Sequence, residues 1–191
     1  MEKKIIEEYE INSSTLIIFP LKYGSKVYSK IIELEEEFIS PFRPIDIIKK
    51  SCIFFGCSYE GRKEGTRQLI GITHKVPISI SPTNFIYFFP TTSPENIQCI
   101  WIAHEHIIDF KKGSKDTTNV TFINKACVEV PISYTSFQNQ YLRTVLLRSK
   151  LSQRLEETTW EFYTKRQKAS EEKSNYLTAG NRKWHERSGS I

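Results

Sequence analysis

The chain has 191 residues, 39% hydrophobic and 26% charged, with a formal net charge of +5. That balance supports one packed domain with a tail, and it excludes wholesale disorder and a histone-like polycation. No apolar run approaches the ~20 residues of a membrane span, and Met1-Glu-Lys-Lys-Ile-Ile-Glu-Glu8 lacks the apolar centre of a signal peptide. The expectation is a cytoplasmic protein, without membrane contact, whose cysteines are reduced. Cys52, Cys57, Cys99 and Cys127 form no CxxC pair, so no metal or other cofactor is expected. Aromatic residues make up 13% and favour β-rich architecture. The charge surplus is local: residues 131–191 hold 11 basic and 6 acidic side chains, a balance suited to a polyanion.

In chain order, residues 5–20 read as two short strands around Asn12-Ser-Ser14, closed by Pro20. Tyr23-Gly24-Ser25 reads as a turn and residues 26–34 as a strand. Glu35-Glu-Glu37 reads as a solvated bend. Pro44 stands where helices begin, and Ile45, Ile48 and Cys52 follow at helical spacing, which predicts a short amphipathic helix over 44–55. Residues 56–67 read as a glycine-punctuated basic loop, with Gly56, Gly61 and Gly65 around Arg62, Lys63 and Arg67. Short β-like pieces follow at 69–74, 77–82 and 85–89. The second is bounded by prolines that suit a sheet edge, and the third is apolar throughout and so buried. Residues 97–110 read as another, with His104 and His106 on one face. Residues 120–123 and 127–130 read as a hairpin across Asn124-Lys125. After Pro131 the period becomes helical. Ser133 or Ser136 can cap a helix through Leu155, a second segment follows at about 157–175, and residues 180–191 read as a frayed tail. The fold class is α+β: a β-rich N-terminal and central region of short antiparallel strands, with one short helix near 44–55, followed by C-terminal helices.

Two basic elements stand out. The first is the 61–67 stretch on its apolar anchor, for which an ordinary surface turn is the competing reading. The second is the segment from Ile132 to Leu155, which has no acidic residue but carries Arg143, Arg148, Lys150 and Arg154. Arg143, Lys150 and Arg154 fall within about 40° of one another on a helix, while Arg148 points toward the apolar arc. Any surface helix carries a charged face; the missing acids make this one a candidate for phosphate. His104 and His106 with Cys99 or Cys57 could in principle bind a metal, although the spacing matches no motif. No string marks a nucleophile, a phosphate loop or a helix-turn-helix, so no enzyme activity is expected. The alternative to nucleic acid is a protein-interaction module whose basic faces bind an acidic partner.

Several blocks stand out together: Ser51-Cys-Ile-Phe-Phe-Gly-Cys-Ser-Tyr-Glu-Gly-Arg-Lys-Glu-Gly-Thr66, His74-Lys75 before Pro77-Ile78, Phe89-Pro-Thr91, Cys99-Ile-Trp-Ile-Ala-His-Glu-His106, Val120-Thr-Phe122 and Pro131-Ile-Ser-Tyr-Thr-Ser-Phe-Gln-Asn-Gln140 with Arg143-Thr144 and Leu147-Arg148. In this order and spacing they resemble the ComK family of competence transcription factors. The resemblance covers about residues 9–155. It implies a DNA-binding domain over 1–156 and a helical extension with tail over 157–191. The implied function is a nucleoid-associated activator of DNA-uptake genes that binds paired A-tract/T-tract boxes, through the minor groove, as a dimer or dimer of dimers. The implied partners are double-stranded DNA, RNA polymerase and an adaptor that delivers the protein to a Clp protease. Residues 156–191 depart from the family pattern, its adaptor-binding stretch included. On this reading Arg62, Lys63 and Arg67 form a slim finger for a narrow groove, with Lys75, Arg143, Arg148, Lys150 and Arg154 as further DNA contacts.

Overall fold

The structure, a computed structural model, describes residues 4–187 and the side chains of residues 5–169. Residues up to Lys150 form one compact unit and those from Leu151 a second. The first unit is built on a seven-stranded sheet in the order β1-β4-β3-β2-β7-β6-β5. Its strands are β1 (Lys4–Ile5), β2 (Thr15–Tyr23), β3 (Lys26–Glu33), β4 (Glu37–Ser40), β5 (Ile78–Ser81), β6 (Ile86–Pro90) and β7 (Trp101–Ala103). Only the β1–β4 pair is parallel. A second sheet holds β8 (Ile107–Lys112), β9 (Thr118–Phe122) and β10 (Cys127–Val130). The helices are α1 (Pro44–Phe54), α2 (Tyr59–Ile70) and α3 (Tyr134–Arg187). The architecture is the α+β class expected.

Both faces of the large sheet are buried, and alternation along its central strands divides the core in two. Ile18, Phe88 and Trp101 point to one face, where Ile45, Ile48 and Cys52 of α1 and Tyr59 of α2 meet them. Ile17, Phe89 and Ile102 point to the other, against Val120, Phe122 and Val130 of the small sheet and Phe137 of α3. This is why residues 86–89 are apolar without interruption. Phe137 packs edge-on against Phe89, with ring centroids 5.5 Å apart. The first turns of α3 are thereby fixed over the sheet. Ser133 begins that helix by accepting a hydrogen bond from the Ser136 amide.

Several expectations need correction. The basic stretch 61–67 is helical, not a loop. Ser58 caps α2 by accepting from the Gly61 amide at 3.1 Å, and Gly71 closes it at φ +70. Two i,i+3 ion pairs, Glu60–Lys63 and Glu64–Arg67, brace the helix and tolerate its two glycines. The 69–74 stretch is therefore the end of α2 and an irregular segment, not a strand. Pro20 does not end β2. Pairing with β7 stops at Ile18, so beyond it β2 has a neighbour only on its β3 side, and a missing N–H is tolerated there. Residues 97–110 divide into β7 and β8 in different sheets, with His104 and His106 in the connection. The acidic bend is shorter than expected because Glu37 opens β4. The two C-terminal helices are one: no proline and a single glycine lie between residues 134 and 187. The expected tail is helical to Arg187, and residues 188–191 lie outside the described residues. The helix over 44–55, the Gly24-Ser25 turn and the 120–130 hairpin are where they were expected. The buried strand expected over 85–89 runs over Ile86–Pro90 instead, because Phe85 is 50% exposed and stands at φ +56 in the turn before it.

The second unit is the helical stretch from Leu151, on which Trp160, Phe162 and Tyr163 are exposed. Among the described residues no helix is long and apolar enough to cross a membrane.

Candidate nucleic-acid interface

The cations of α2 are less free than a loop would leave them. Lys63 pairs with Glu60 at 3.3 Å and lies over the Tyr59 ring. Arg67 pairs with Glu64 at 3.6 Å and donates to the Thr73 carbonyl at 3.1 Å. Arg62 is half-buried, and its Nε has no hydrogen-bond partner among the described residues.

After Gly71 the chain runs irregularly to Val76, and α3 follows it with three side chains. Gln140, 2% exposed, donates through Nε2 to the carbonyls of Lys75 at 2.8 Å and Pro90 at 2.9 Å. Its Oε1 accepts from Arg143 at 3.0 Å, and Arg143 also reaches the His74 carbonyl at 3.4 Å. Lys150 donates to the Leu69 carbonyl at 3.1 Å, a favourable place for a cation at the C-terminal end of α2. Lys75 itself stands at φ +50, in the left-handed region. These bonds gather Arg67, His74, Lys75, Arg143 and Lys150 around one exposed segment. A cleft of about 190 Å³ is lined there by Lys63, Arg67, His74 and Lys75 together with Tyr59 and Glu95.

Three of the basic side chains singled out in the sequence do not join this group, Arg62 among them. Arg148 pairs with Glu105 at 3.1 Å and lies over the Phe85 ring at 5.3 Å. Arg154 is exposed and belongs to the second unit. Gln140 was not singled out in the sequence. Its only signal was a polar residue on the helical stripe shared by Phe137, Thr144 and Leu147, all buried.

His104, Cys52 and Cys99 are buried in the fold. His104 stacks on Tyr141 at 4.8 Å and shares Glu105 with Arg148. Burial lowers the pKa of both His104 and His106. Burial pushes the Cys52 thiol up to about 12 and raises that of Cys99, which disfavours either thiolate. Among the described residues no group of three or more His, Cys, Asp and Glu side chains could hold a metal ion.

Comparison with known proteins gives the family. The profile of the ComK protein family matches residues 6–156, a span that runs from the end of β1 into α3 and contains every basic residue named above. The chain belongs to the ComK family. A family relative, the competence transcription factor of Bacillus subtilis (strain 168), is 45% identical over 151 residues, 79% of this chain and 79% of the relative. No solved structure matches the chain. The ComK match stops at residue 156, so Trp160, Phe162 and Tyr163 lie beyond it.

Proposed function

We propose that this chain is a competence transcription factor that binds duplex DNA at A-tract/T-tract boxes through the minor groove. The observation that carries this reading is the gathering of Arg67, Lys75, Arg143 and Lys150 around the 71–76 segment. The name of the Bacillus subtilis relative supports the biological setting. A-tract minor grooves are narrow and strongly negative, which favours an inserted cation. An α-helix with its side chains is roughly 10–12 Å across, and the minor groove is roughly 6 Å wide. α2 therefore cannot enter as a finger. The irregular 71–76 segment is one chain thick, and Lys75 is its cation. In this reading Lys75 enters the groove, and Lys63, Arg67, Arg143 and Lys150 hold flanking phosphates. Recognition is of groove width and potential, which separates A·T from G·C without a finer code. On paired boxes the protein acts as a dimer, within the nucleoid, and aids RNA polymerase.

The test is fluorescence anisotropy with an A-tract duplex and a G·C-rich duplex of equal length at one salt concentration. The native chain is expected to prefer the A-tract, and Lys75→Ala to reduce that preference. The Arg62→Ala, Lys63→Ala pair is expected to weaken both duplexes alike. Equal native affinity for the two duplexes would sink the reading and leave a basic face for an acidic protein.

A further inference from the structure

The side of α3 that faces away from the sheet carries no charge across the body of the domain. At 100° per residue, Gln138, Leu142, Val145, Leu146 and Ser149 lie within about 100° of arc. Leu142 is 54% exposed, Val145 37% and Leu146 42%. The buried stripe of Phe137, Thr144 and Leu147 lies on the opposite side of the helix, so these three side chains gain nothing from the domain's own core. Arg143 and Lys150 lie about a quarter turn to one side of the uncharged face.

We propose that this face of α3 is where two copies of the chain meet, antiparallel, with Val145 of one against Leu146 of the other at the two-fold axis. The inference deepens the DNA-binding reading and rests on it. An isologous contact must be complementary to itself. An antiparallel pairing of this face places Val145 opposite Leu146 and Leu142 opposite Ser149, so small and large side chains alternate across the contact. The symmetry has a second effect. The two-fold axis of an antiparallel helix pair is perpendicular to the helices and to the line joining them. Rotation about it leaves a flank on the same side of the pair, so both copies present Arg143 and Lys150 in one direction. A parallel pair would turn the two basic flanks to opposite sides. Only the antiparallel arrangement gives a single basic track for one duplex. The flanks repel each other in the free dimer, and a polyanion between them relieves that repulsion. The contact is thus tightened by DNA.

The test uses the full chain. Light scattering is expected to find two copies on a paired A-tract duplex, bound cooperatively, and on a single-box duplex two copies for the native chain but one for Leu142→Glu with Leu146→Glu, which should also lose the cooperativity. Both side chains are largely exposed, so folding is checked by circular dichroism. Geometry is read separately, in a Cys57→Ser, Cys127→Ser background. A Leu142→Cys chain mixed with a Ser149→Cys chain on the duplex should form the mixed disulfide in preference to either homodimer. A native chain that stays monomeric on DNA, a folded double-glutamate variant that still dimerises, or homodimeric disulfides in excess would each overturn the proposal. A dimer that cross-links as expected but shows no A-tract preference would overturn the DNA reading instead.

Discussion

The side-chain amide of Gln140 holds the carbonyl of Lys75 at 2.8 Å, across 65 residues of sequence. The same amide nitrogen holds Pro90, and the amide oxygen takes a hydrogen bond from Arg143. One buried polar group thus ties the irregular basic segment, the end of β6 and the basic stripe of α3 together.

Gln140→Leu keeps the volume and removes all three bonds. It leaves two carbonyls without their partner, at a cost of about 1–3 kcal/mol. The expected result is a lower urea midpoint, with A-tract affinity reduced although no charge has been altered. Gln140→Glu should be as damaging, because a carboxylate cannot donate to either carbonyl. An unchanged urea midpoint in the leucine variant would show that the segment is held by other means.

Lys150→Ala is expected to weaken binding to every duplex by a similar factor and to flatten the slope of log K against log salt by about one unit. Arg148→Ala is the control. Its guanidinium is engaged with Glu105 and Phe85, so its loss should lower stability and leave the slope unchanged. Salt titrations of the two variants side by side decide between these roles.

The two glycines of α2 should respond differently to alanine. A Cβ at Gly65 meets nothing within 4 Å, so Gly65→Ala gains helix propensity of about 1 kcal/mol and should raise the melting temperature. A Cβ at Gly61 comes within 3.1 Å of Ser58 Oγ, the capping atom, and the gain there should be smaller or lost. Thermal melts of the two variants would expose a misplaced α2 if the order were reversed.

Stability should fall as the solution is acidified below about pH 6.5. His104 and His106 have pKa values lowered by burial, so they are neutral in the folded chain. The unfolded chain takes up protons at its ordinary histidine pKa while the folded chain does not. Their contribution is therefore complete above that pH and is lost as pH falls through the folded values. Urea midpoints measured across this window should drop less steeply for His104→Gln than for the native chain.

Most of the β framework was legible because central strands buried on both faces are apolar without a break, as residues 86–89 are, and because Gly24 and Asn124 mark turns. α1 was legible from Pro44 and the spacing of Ile45, Ile48 and Cys52. α2 was not. Its glycines outweighed the capping Ser58 and the Glu60–Lys63 and Glu64–Arg67 pairs in a reading that looked for loop chemistry. The basic stripe of α3 could be computed from helical periodicity. Its junction with residues 69–75 could not, because those contacts form through backbone carbonyls distant in sequence, and carbonyls carry no residue-type signal.

The ends of the large sheet have a consequence for how the protein survives at high concentration. β5, at one end, is only four residues long and lies between Pro77 and Pro82, neither of which can donate a backbone hydrogen bond to an incoming strand. At the other end β1 is two residues long. A chain this rich in phenylalanine, tyrosine and isoleucine would otherwise be prone to stack edge to edge into fibres. With both ends of the large sheet blunted, stacking of copies end to end through that sheet is disfavoured.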